Sequence, residues 1–515
     1  MSKSEKAVVE IKAGKIMGSY QQRLYIFKGI PYATPPVGER RWLHPEPVEP
    51  WEGVYHAQSF GKAAPQNDLG PPIAQDFKMN NPQSEDCLYL NIWSPGLDDA
   101  RRPVLVWIHG GAFIMGSGSQ AIYAGNTLAQ RGDAVIVTIN YRLGTLGFLR
   151  LNEITGGSIP ATGSEGLLDQ IAALEWVHDN IAAFGGDPDN VTLFGESAGA
   201  MSIGCLLAMP KARGLFHKAI LQSGASSTVV QLDAATLITK QFLDILGLGA
   251  KDVDALWALP VERLLSAEME LLARMAQQRG RPMITLTIPV IDGKTLPEMP
   301  IEAIKQGSAE NVWVLAGSNL EEWKLIGMMD PALLKLDDAR LVERCQRFIP
   351  AELVPGLIEA YRNARAKRGV STSPAELFTA IQTDQVFRIP AIRLVEAQHH
   401  YQPSYNYLFT WKSPIMDGIL GSCHTLEVGF VFGTYNSGFC GSEPAADRLS
   451  RNIQDAWLAF VRTGDPSIES TGTWPPYGER RLTMLLGEEC HIEEATYEEE
   501  RCAWDSIPNE FTGQI

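Results

Sequence analysis

The sequence predicts an α/β fold built on one large, mainly parallel β-sheet with helices on both faces. Short apolar runs recur along the chain and are continuous rather than alternating, which is typical of strands buried on both faces of a parallel sheet. Helix-type segments separate several of these runs, and this β–α–β rhythm is that of an open, doubly wound sheet. The apolar runs span residues 104–108, 134–139, 191–194, 219–221, 312–315, 405–409 and 482–485.

Helices are predicted between and beyond these strands. Apolar residues repeat at three- and four-residue spacing on one helix face between the second and third runs: Leu167, Ile171, Leu174, Val177 and Ile181. Two longer helix-like stretches, at about 234–278 and 331–400, interrupt the rhythm. Inserts of this size either cover a site as lids or thicken the fold, and the pattern alone favours neither. We therefore predict a single domain over residues 1–515 with two helical inserts.

The composition is that of an ordinary globular protein, with 45% hydrophobic and 20% charged residues among 515. The formal net charge of −16 argues against nucleic acid or an anionic membrane as a partner. No window reaches about 18 uncharged apolar residues, and the first residues lack the apolar core of a secretory signal. Seven scattered cysteines without metal-site spacing indicate free thiols in a reducing compartment. We expect a cytoplasmic protein that is a monomer, with an oligomer left open.

The most informative motif is the G-x-S-x-G sequence at residues 195–199, which follows a strand-type run and precedes a helix-type run. A serine at such a sharp strand-to-helix turn has an exposed hydroxyl group. The flanking Gly195 and Gly199 lack the Cβ atoms that would clash in the turn. The following helix directs its first N–H groups at an oxyanion formed there. Ser197 is therefore the candidate nucleophile.

A serine nucleophile needs a base, and the base needs a carboxylate that orients it. In folds with this serine turn the chain order is serine, acid, histidine. The histidines that remain are His399, His400, His424 and His491. His424 lies in a small-residue loop downstream of a strand-type run, whereas the others end a helical segment or lie in an acidic tail. His424 is thus the predicted base, and an ordinary imidazole pKa would make activity fade near pH 6 to 7.

The candidate acid follows the apolar run at 312–315. Glu321 and Glu322 both lie just beyond the carboxyl end of this predicted strand, where open α/β sheets place their ligands. Spacing alone does not separate the two glutamates. The alternative, that both are solvated surface charges, is the commoner fate of paired glutamates.

A glycine-rich loop follows the apolar run at 104–108 and reads His-Gly-Gly-Ala-Phe over residues 109–113. Small residues expose backbone N–H groups that can donate to a tetrahedral oxyanion, and the N–H of Ala198 adds a further donor. An ordinary glycine turn is the alternative, but the position of the loop ahead of the serine favours the first interpretation. His109 is expected to be structural rather than catalytic.

These motifs resemble those of the type-B carboxylesterase and cholinesterase family, and most closely those of the bacterial para-nitrobenzyl esterases. The resemblance runs over nearly the whole chain and depends on many short motifs in the same order. The matching residues are 27–33, 35–38, 84–92, 107–113, 184–188, 195–199, 289–293, 424–427, 430–433 and 474–475. The resemblance implies the α/β-hydrolase fold, a large mostly parallel sheet flanked by helices, with helical inserts that cover the site as lid-like subdomains.

The family pattern also implies roles that spacing left open. It identifies Glu322 as the acid. The N–H groups of Gly111, Ala112 and Ala198 correspond to the three oxyanion donors of the family. Together with a serine nucleophile and a histidine base, these residues would form a complete acyl-transfer site.

Other positions of the family pattern concern structure rather than chemistry. Arg41 and Glu85 match a buried ion pair near the N-terminus. Cys87 matches one half of a disulfide found in many relatives, but Ala64 occupies the partner position, so the bridge is expected to be absent. Trp323 replaces the glycine that usually follows the acid, which changes the expected geometry of that loop.

Two positions argue against choline esters as substrates. Phe77 lies near the position of the choline-binding tryptophan of cholinesterases, and Leu325 replaces an aromatic residue beyond the acid. A cage for a quaternary ammonium group needs several aromatic faces. The apolar walls of the substrate pocket are instead predicted to come from Phe113, Ile114, Met115, Leu325 and Met328.

The sequence thus predicts a serine carboxylesterase that cleaves uncharged aryl or short-to-medium acyl esters through an acyl-enzyme. The partner is a small-molecule ester, and no metal or organic cofactor is implied. One alternative is a hydrolase whose natural substrate is an amide, carbamate or thioester, because these bonds pass through the same type of tetrahedral intermediate. A second is a non-catalytic adhesion or binding relative, which the intact Ser197, Glu322 and His424 argue against.

Overall fold

The computed structural model describes residues 7–67, 81–279, 283–442 and 444–514. Phe77 and residues 1–6 lie outside the described residues. The strands are β1 Val8–Ile11, β2 Gly14–Met17, β3 Ser19–Gln21, β4 Leu24–Pro31, β5 Val54–His56, β6 Tyr89–Ser94, β7 Arg102–Ile108, β8 Val135–Ile139, β9 Gly186–Glu196, β10 Lys218–Gln222, β11 Val230–Gln231, β12 Val290–Ile291, β13 Trp313–Asn319, β14 Ser404–Phe409, β15 Leu482–Leu486 and β16 His491–Glu494. The helices are α1 Asn126–Gly132, α2 Gly144–Phe148, α3 Glu165–Asn180, α4 Ala198–Leu206, α5 Leu232–Leu246, α6 Val253–Ala258, α7 Val261–Arg279, α8 Pro300–Lys305, α9 Trp323–Gly327, α10 Asp338–Cys345, α11 Val354–Lys367, α12 Pro374–Thr383, α13 Ile389–His399, α14 Val428–Phe432, α15 Ser437–Cys440, α16 Pro444–Thr463 and α17 Glu498–Cys502.

Eleven of the described strands form one sheet in the order β16-β15-β14-β13-β10-β9-β7-β8-β6-β4-β3. The strands from β15 to β8 run parallel to their neighbours, and they contain all the apolar runs predicted from the sequence. The two edges are antiparallel, through β16 on one side and β6, β4 and β3 on the other. The prediction of a mostly parallel sheet is therefore correct for its centre, whereas the antiparallel edge strands were not predicted.

Alternate side chains of the central strands enter two separate cores, one on each face of the sheet. Along β7, Val104, Val106 and Ile108 join one core, and Leu105 and Trp107 join the other. Helices α3, α4 and α13 cover the first core, and α1, α14 and α16 cover the second. Full burial of each large apolar side chain contributes about 1.5–3 kcal/mol, which explains why continuous apolar runs form the centre of this sheet. None of the helices within the described residues combines the length and apolarity that a membrane span requires.

The first insert contains α5, α6 and α7, which form a small core with Trp42 and with apolar residues between 146 and 161. Arg41 holds this insert in place. Its guanidinium group donates to the carbonyl oxygens of Trp257 and Leu259 at 3.1 and 2.9 Å, at the C-terminal end of α6. The same group forms a two-point ion pair with Glu85 at 2.5 and 2.8 Å. The ion pair therefore links the insert to the body of the fold.

The second insert contains α10 to α13. The last of these helices, α13, packs directly against β13 and β14, so this part of the insert belongs to the helical layer that covers the sheet. The helices before it pack on one another and contribute side chains to the same core. That the two inserts cover the site as lid-like subdomains remains a prediction.

Candidate active site

The predicted site residues lie at the carboxyl ends of adjacent parallel strands. Ser197 follows β9, the loop of residues 109–113 follows β7, Glu322 follows β13, and His424 lies in the loop after β14. Because β7, β9, β10, β13 and β14 are consecutive in the sheet, their carboxyl ends meet at one edge. The fold thereby brings together segments that are far apart in the sequence.

Ser197 occupies a tight turn between β9 and α4, with a φ of 54°. The two glycines of the motif are required because the end of β7 passes next to the turn. A Cβ atom on Gly199 would lie 1.9 Å from the carbonyl oxygen of Ile108, and one on Gly195 would lie 2.7 Å from the same oxygen. This crowding holds the serine in a left-handed conformation that L-residues rarely adopt.

His424 is buried and lies between the other two predicted members of the group. Its Nε2 atom is 2.9 Å from Oγ of Ser197, and its Nδ1 atom is 2.7 Å from Oε2 of Glu322. With the proton on Nδ1, the imidazole donates to the carboxylate and accepts from the serine hydroxyl. This is the geometry that general-base activation of a serine requires.

The two adjacent glutamates face in different directions. Glu322 is fully buried, and its Oε1 atom accepts a 2.6 Å hydrogen bond from the N–H of Asn319. Glu321 is partly exposed, pairs with Lys324 at 2.6 Å and accepts from the N–H of Ser422 at 3.0 Å. Glu321 therefore fastens the loop that carries the histidine, whereas Glu322 contacts the imidazole itself.

The glycine-rich loop passes beside the serine, since a Cβ atom on Gly110 would lie 3.1 Å from Cβ of Ser197. Gly111 and Ala112 have φ values of 108° and 54°, which turns their N–H groups out of the regular hydrogen-bond pattern. In the part of the chain that the structure describes, the N–H groups of Gly111, Ala112 and Ala198 have no acceptor. Three free donors are thus available next to the nucleophile.

His109 begins this loop and is buried. Its ring stacks on that of Tyr141 at 4.5 Å, and Nδ1 lies 2.8 Å from the carbonyl oxygen of Gly110. Burial lowers the pKa of His109 to about 4, so the ring is uncharged at neutral pH. These contacts support a structural role.

The five predicted pocket residues have different environments. Phe113 is fully buried and packs edge-to-face on Phe148 at 5.1 Å, so its side chain belongs to the core beneath the loop and forms no exposed wall. Ile114 lines a small cavity between the loop and α7, whose wall combines apolar side chains such as Leu271 with the carboxylate of Glu268. The remaining three differ in exposure: Met115 and Leu325 are half-buried, and Met328 is exposed.

Two buried glutamates next to the imidazole were not predicted. Oε1 of Glu196 lies 3.2 Å from Nε2 of His424. Glu427 accepts hydrogen bonds from the side-chain amides of Asn319 at 2.6 Å and Gln222 at 3.2 Å. Glu196 is the first x of the G-x-S-x-G motif, directly before the nucleophile, and Glu427 is three residues after the histidine. Their closeness in sequence to Ser197 and His424 was the only signal, and closeness in sequence does not show that a side chain is buried.

The carboxylates determine the protonation of the imidazole. Burial lowers the pKa of His424, but the carboxylates of Glu196 and Glu322 and the hydrogen bond to Glu322 outweigh burial and raise this pKa to about 9. Burial likewise raises the pKa of Glu196 well above its usual range and, with repulsion from Glu322, that of Glu427 to about 7. The imidazole and these carboxyl groups therefore titrate together.

We expect kcat/KM to rise with pH along a limb whose midpoint lies above 6.5, because only the neutral imidazole accepts the Ser197 proton. This is higher than the sequence predicts, and the unpredicted Glu196 is the main reason. Because Glu196 titrates together with the imidazole, Glu196→Gln, which keeps the shape but cannot become negative, is expected to lower the midpoint by about one unit. Initial rates on a neutral ester between pH 5 and 10 test both expectations. A wild-type midpoint at or below 6.5, or an unchanged midpoint in the variant, would contradict them.

A family model described as the carboxylesterase family matches residues 5–504. The chain belongs to the carboxylesterase family. Para-nitrobenzyl esterase from Bacillus subtilis is 40% identical over 96% of this chain and 97% of its own. Phenmedipham hydrolase from Pseudarthrobacter oxydans is 36% identical over 94% of this chain and 95% of its own. The family expected from the sequence motifs is thus confirmed.

Solved structures lead to the same conclusion for the fold of this carboxylesterase. A carboxylesterase from Geobacillus stearothermophilus superposes with a TM-score of 0.85 at 39% identity, covering 97% of this chain and 100% of its own. A thermophilic para-nitrobenzyl esterase superposes with a TM-score of 0.85 at 38% identity, covering 96% and 99%. The predicted α/β-hydrolase fold is confirmed, and the protein is a carboxylic ester hydrolase.

The cysteines of this carboxylesterase form no disulfides in the described residues. All seven cysteines lie within the described residues and are free thiols. Cys87 is fully buried and forms no disulfide. Ala64, the position that the family resemblance pairs with Cys87, is also buried. Among the described residues, no group of three or more His, Cys, Asp or Glu side chains is arranged to hold a metal ion.

Proposed function

We propose that this carboxylesterase cleaves small uncharged esters by forming an acyl-enzyme on Ser197. The observation that carries this proposal is the position of His424, with Nε2 at 2.9 Å from the serine and Nδ1 at 2.7 Å from Glu322. In the first step His424 takes the proton of Ser197 as the oxygen attacks the ester carbonyl carbon. His424 then returns this proton to the departing alcohol.

In the second step a water molecule attacks the acyl-enzyme, and His424 takes its proton. The acid is released when the imidazole gives the proton back to Ser197. Glu322 keeps the proton of the neutral ring on Nδ1 and stabilises the imidazolium ion that forms in each step. The free N–H groups of Gly111, Ala112 and Ala198 donate to the oxyanion of both tetrahedral intermediates.

The substrate class follows from the walls and the charge of the site. Met115 and Leu325 lie half-buried on the segments that follow the oxyanion donors and the acid, and their apolar side chains favour aryl or short-to-medium acyl groups. Glu196, Glu322 and Glu427 are buried around the imidazole, so an ester that carries its own carboxylate would be repelled. Similarity to a para-nitrobenzyl esterase supports neutral aryl or benzyl esters as substrates.

We expect a panel of para-nitrophenyl esters with acyl chains of increasing length to show a maximum of kcat/KM at short-to-medium chains. Beyond that maximum, each methylene group that the pocket does not accommodate should lower kcat/KM by about 10–200-fold. Rates of para-nitrophenol release measure this directly. Matched amides and thioesters distinguish the alternative reaction classes, and an amide that is cleaved faster than its ester would overturn the proposal.

The cellular location is also a proposal. We infer a reducing compartment such as the cytoplasm, because the cysteines are free thiols and five of them are buried. A monomeric state is likewise retained as a prediction, which the mass measured in solution tests.

A further inference from the structure

The second insert contains an irregular turn close to the candidate site. Helices α12 and α13 form one nearly continuous rod, interrupted by a π-helical turn at Asp384–Arg388. Pro390 explains the interruption, because it lacks an N–H group and its ring clashes with the carbonyl group four residues earlier in a regular helix. In the wider turn the N–H of Ile389 donates to the carbonyl oxygen of Asp384, five residues back. Such turns are rare and occur often at functional sites.

The π-helical turn contacts two parts of the candidate site. Phe387 is almost fully buried, and its ring lies 4.7 Å from the ring of His424 at an interplanar angle of 36°. Just before the turn, Oγ1 of Thr383 accepts a 3.1 Å hydrogen bond from the N–H of Trp323. Trp323 is the residue after Glu322 and replaces the usual glycine, so this bond fastens the acid loop.

Buried polar contacts hold the turn itself. Arg388 forms a two-point ion pair with Asp384 at 2.7 and 2.6 Å. Asp384 also accepts from the hydroxyl of Tyr361, which in turn accepts from Nε1 of Trp504 at 2.8 Å. Side chains from α11 and from the C-terminal segment therefore fix the orientation of the turn.

The last residues of the described chain add backbone contacts. The N–H of Gly513 donates to the carbonyl oxygen of Gln385 at 2.8 Å. The side-chain amide of Gln385 donates to the carbonyl oxygen of Phe511 at 2.9 Å. An element held from three sides in this way presents a fixed surface to the imidazole that it contacts. The turn can therefore determine the position of the imidazole.

We propose that Phe387 is a positioning residue, which covers one face of the His424 imidazole and holds its plane between Ser197 and Glu322. A loop histidine can otherwise rotate about its side-chain bonds. The aromatic ring prevents this rotation and keeps water away from that face. The negative face of the ring also stabilises the imidazolium ion of each step. Thr383 holds Glu322 in position in a similar way, because its hydrogen bond to the N–H of Trp323 fixes the residue next to the acid.

This inference rests on the proposed function, and its test separates the two. Phe387→Ala is expected to lower kcat by about 10–100-fold, the effect of displacing a catalytic group by roughly 1 Å. KM should change by less than about threefold, because the variant alters proton transfer rather than ground-state binding. Phe387→Leu keeps an apolar cover and should lie between Phe387→Ala and the wild type.

A matched control is Phe378→Leu on α12. Phe378 is also buried in this insert and packs on Phe348 at 6.1 Å, so its loss measures a general loosening of the insert. A spectroscopic readout adds to the kinetics. The far-downfield proton resonance of the His424 Nδ1–H should broaden or vanish in Phe387→Ala and persist in Phe378→Leu.

Thr383→Val is the second variant. It preserves the shape of the side chain and removes the acceptor for the Trp323 N–H, and it is expected to lower kcat without changing KM. An unchanged kcat in Phe387→Leu and Thr383→Val, or an equal loss in Phe378→Leu, would overturn the inference. If the wild type forms a covalent fluorophosphonate adduct on Ser197 while these variants keep full kcat, the proposed function stands and only the positioning role fails.

Discussion

Replacing Ser197 with alanine is expected to lower kcat by about 10⁴–10⁶-fold, the range for the nucleophile of a serine triad. The methyl group cannot form the acyl-enzyme, whereas the free N–H donors and the binding pocket are unchanged. Initial rates on a para-nitrophenyl ester measure the loss. The residual rate would then report what the oxyanion donors contribute without covalent catalysis.

Ser202 on α4 offers a matched control, because it is a fully buried serine in the same helix that contacts Gln170 rather than the imidazole. Ser202→Ala should retain most of the activity and should still react with a fluorophosphonate. Loss of less than tenfold in Ser197→Ala, or labelling of that variant at the wild-type stoichiometry, would show that another residue is the nucleophile.

Glu322→Gln is expected to have the second-largest effect, a loss of about 10⁴-fold in kcat. Glutamine has nearly the same shape but carries no negative charge. Its amide NH₂ group can face Nδ1 and donate to it. The neutral imidazole would then favour the tautomer with its proton on Nε2, which cannot accept the Ser197 proton. The Nδ1–H resonance of His424 should change in parallel with the rate.

Glu321→Gln is the control that the sequence itself provides. Glu321 is adjacent and has the same side chain, but it contacts Lys324 and the N–H of Ser422 rather than the imidazole. Glutamine keeps an oxygen that accepts from Ser422 and loses only the partly exposed ion pair, which contributes about 0–1 kcal/mol, so the variant should keep its rate within roughly fivefold. Equal losses in the two variants would mean that the geometry around His424 depends on the whole loop rather than on the Glu322 carboxylate.

Most of the central sheet was predictable because its strands are buried on both faces. Runs such as 104–108 and 134–139 are continuously apolar, and each forms a parallel strand. The antiparallel strands β4 and β6 lack this signal, since they lie nearer an edge and mix polar with apolar residues. Their pairing is decided by contacts between segments that are distant in the chain, which a local pattern does not contain.

The site was predictable in those parts that depend on local backbone geometry. Gly195 and Gly199 are required next to Ser197 because the carbonyl oxygen of Ile108 fills the space where a side chain would be. The choice between Glu321 and Glu322 was different. Spacing left it open, and the resemblance to relatives indicated Glu322, whose burial and contact with the imidazole are tertiary properties.

The sequence by itself determined the fold class, the family and the residue types of the acyl-transfer group, because turns and buried strands leave local signatures. Only the tertiary structure decided that Glu196 and Glu427 are buried beside the imidazole and that Phe387 covers its face. The physical reason is that burial and charge interactions depend on distances in space, between residues up to hundreds of positions apart. A pKa above the ordinary imidazole value is therefore a property of the folded site and not of the histidine motif.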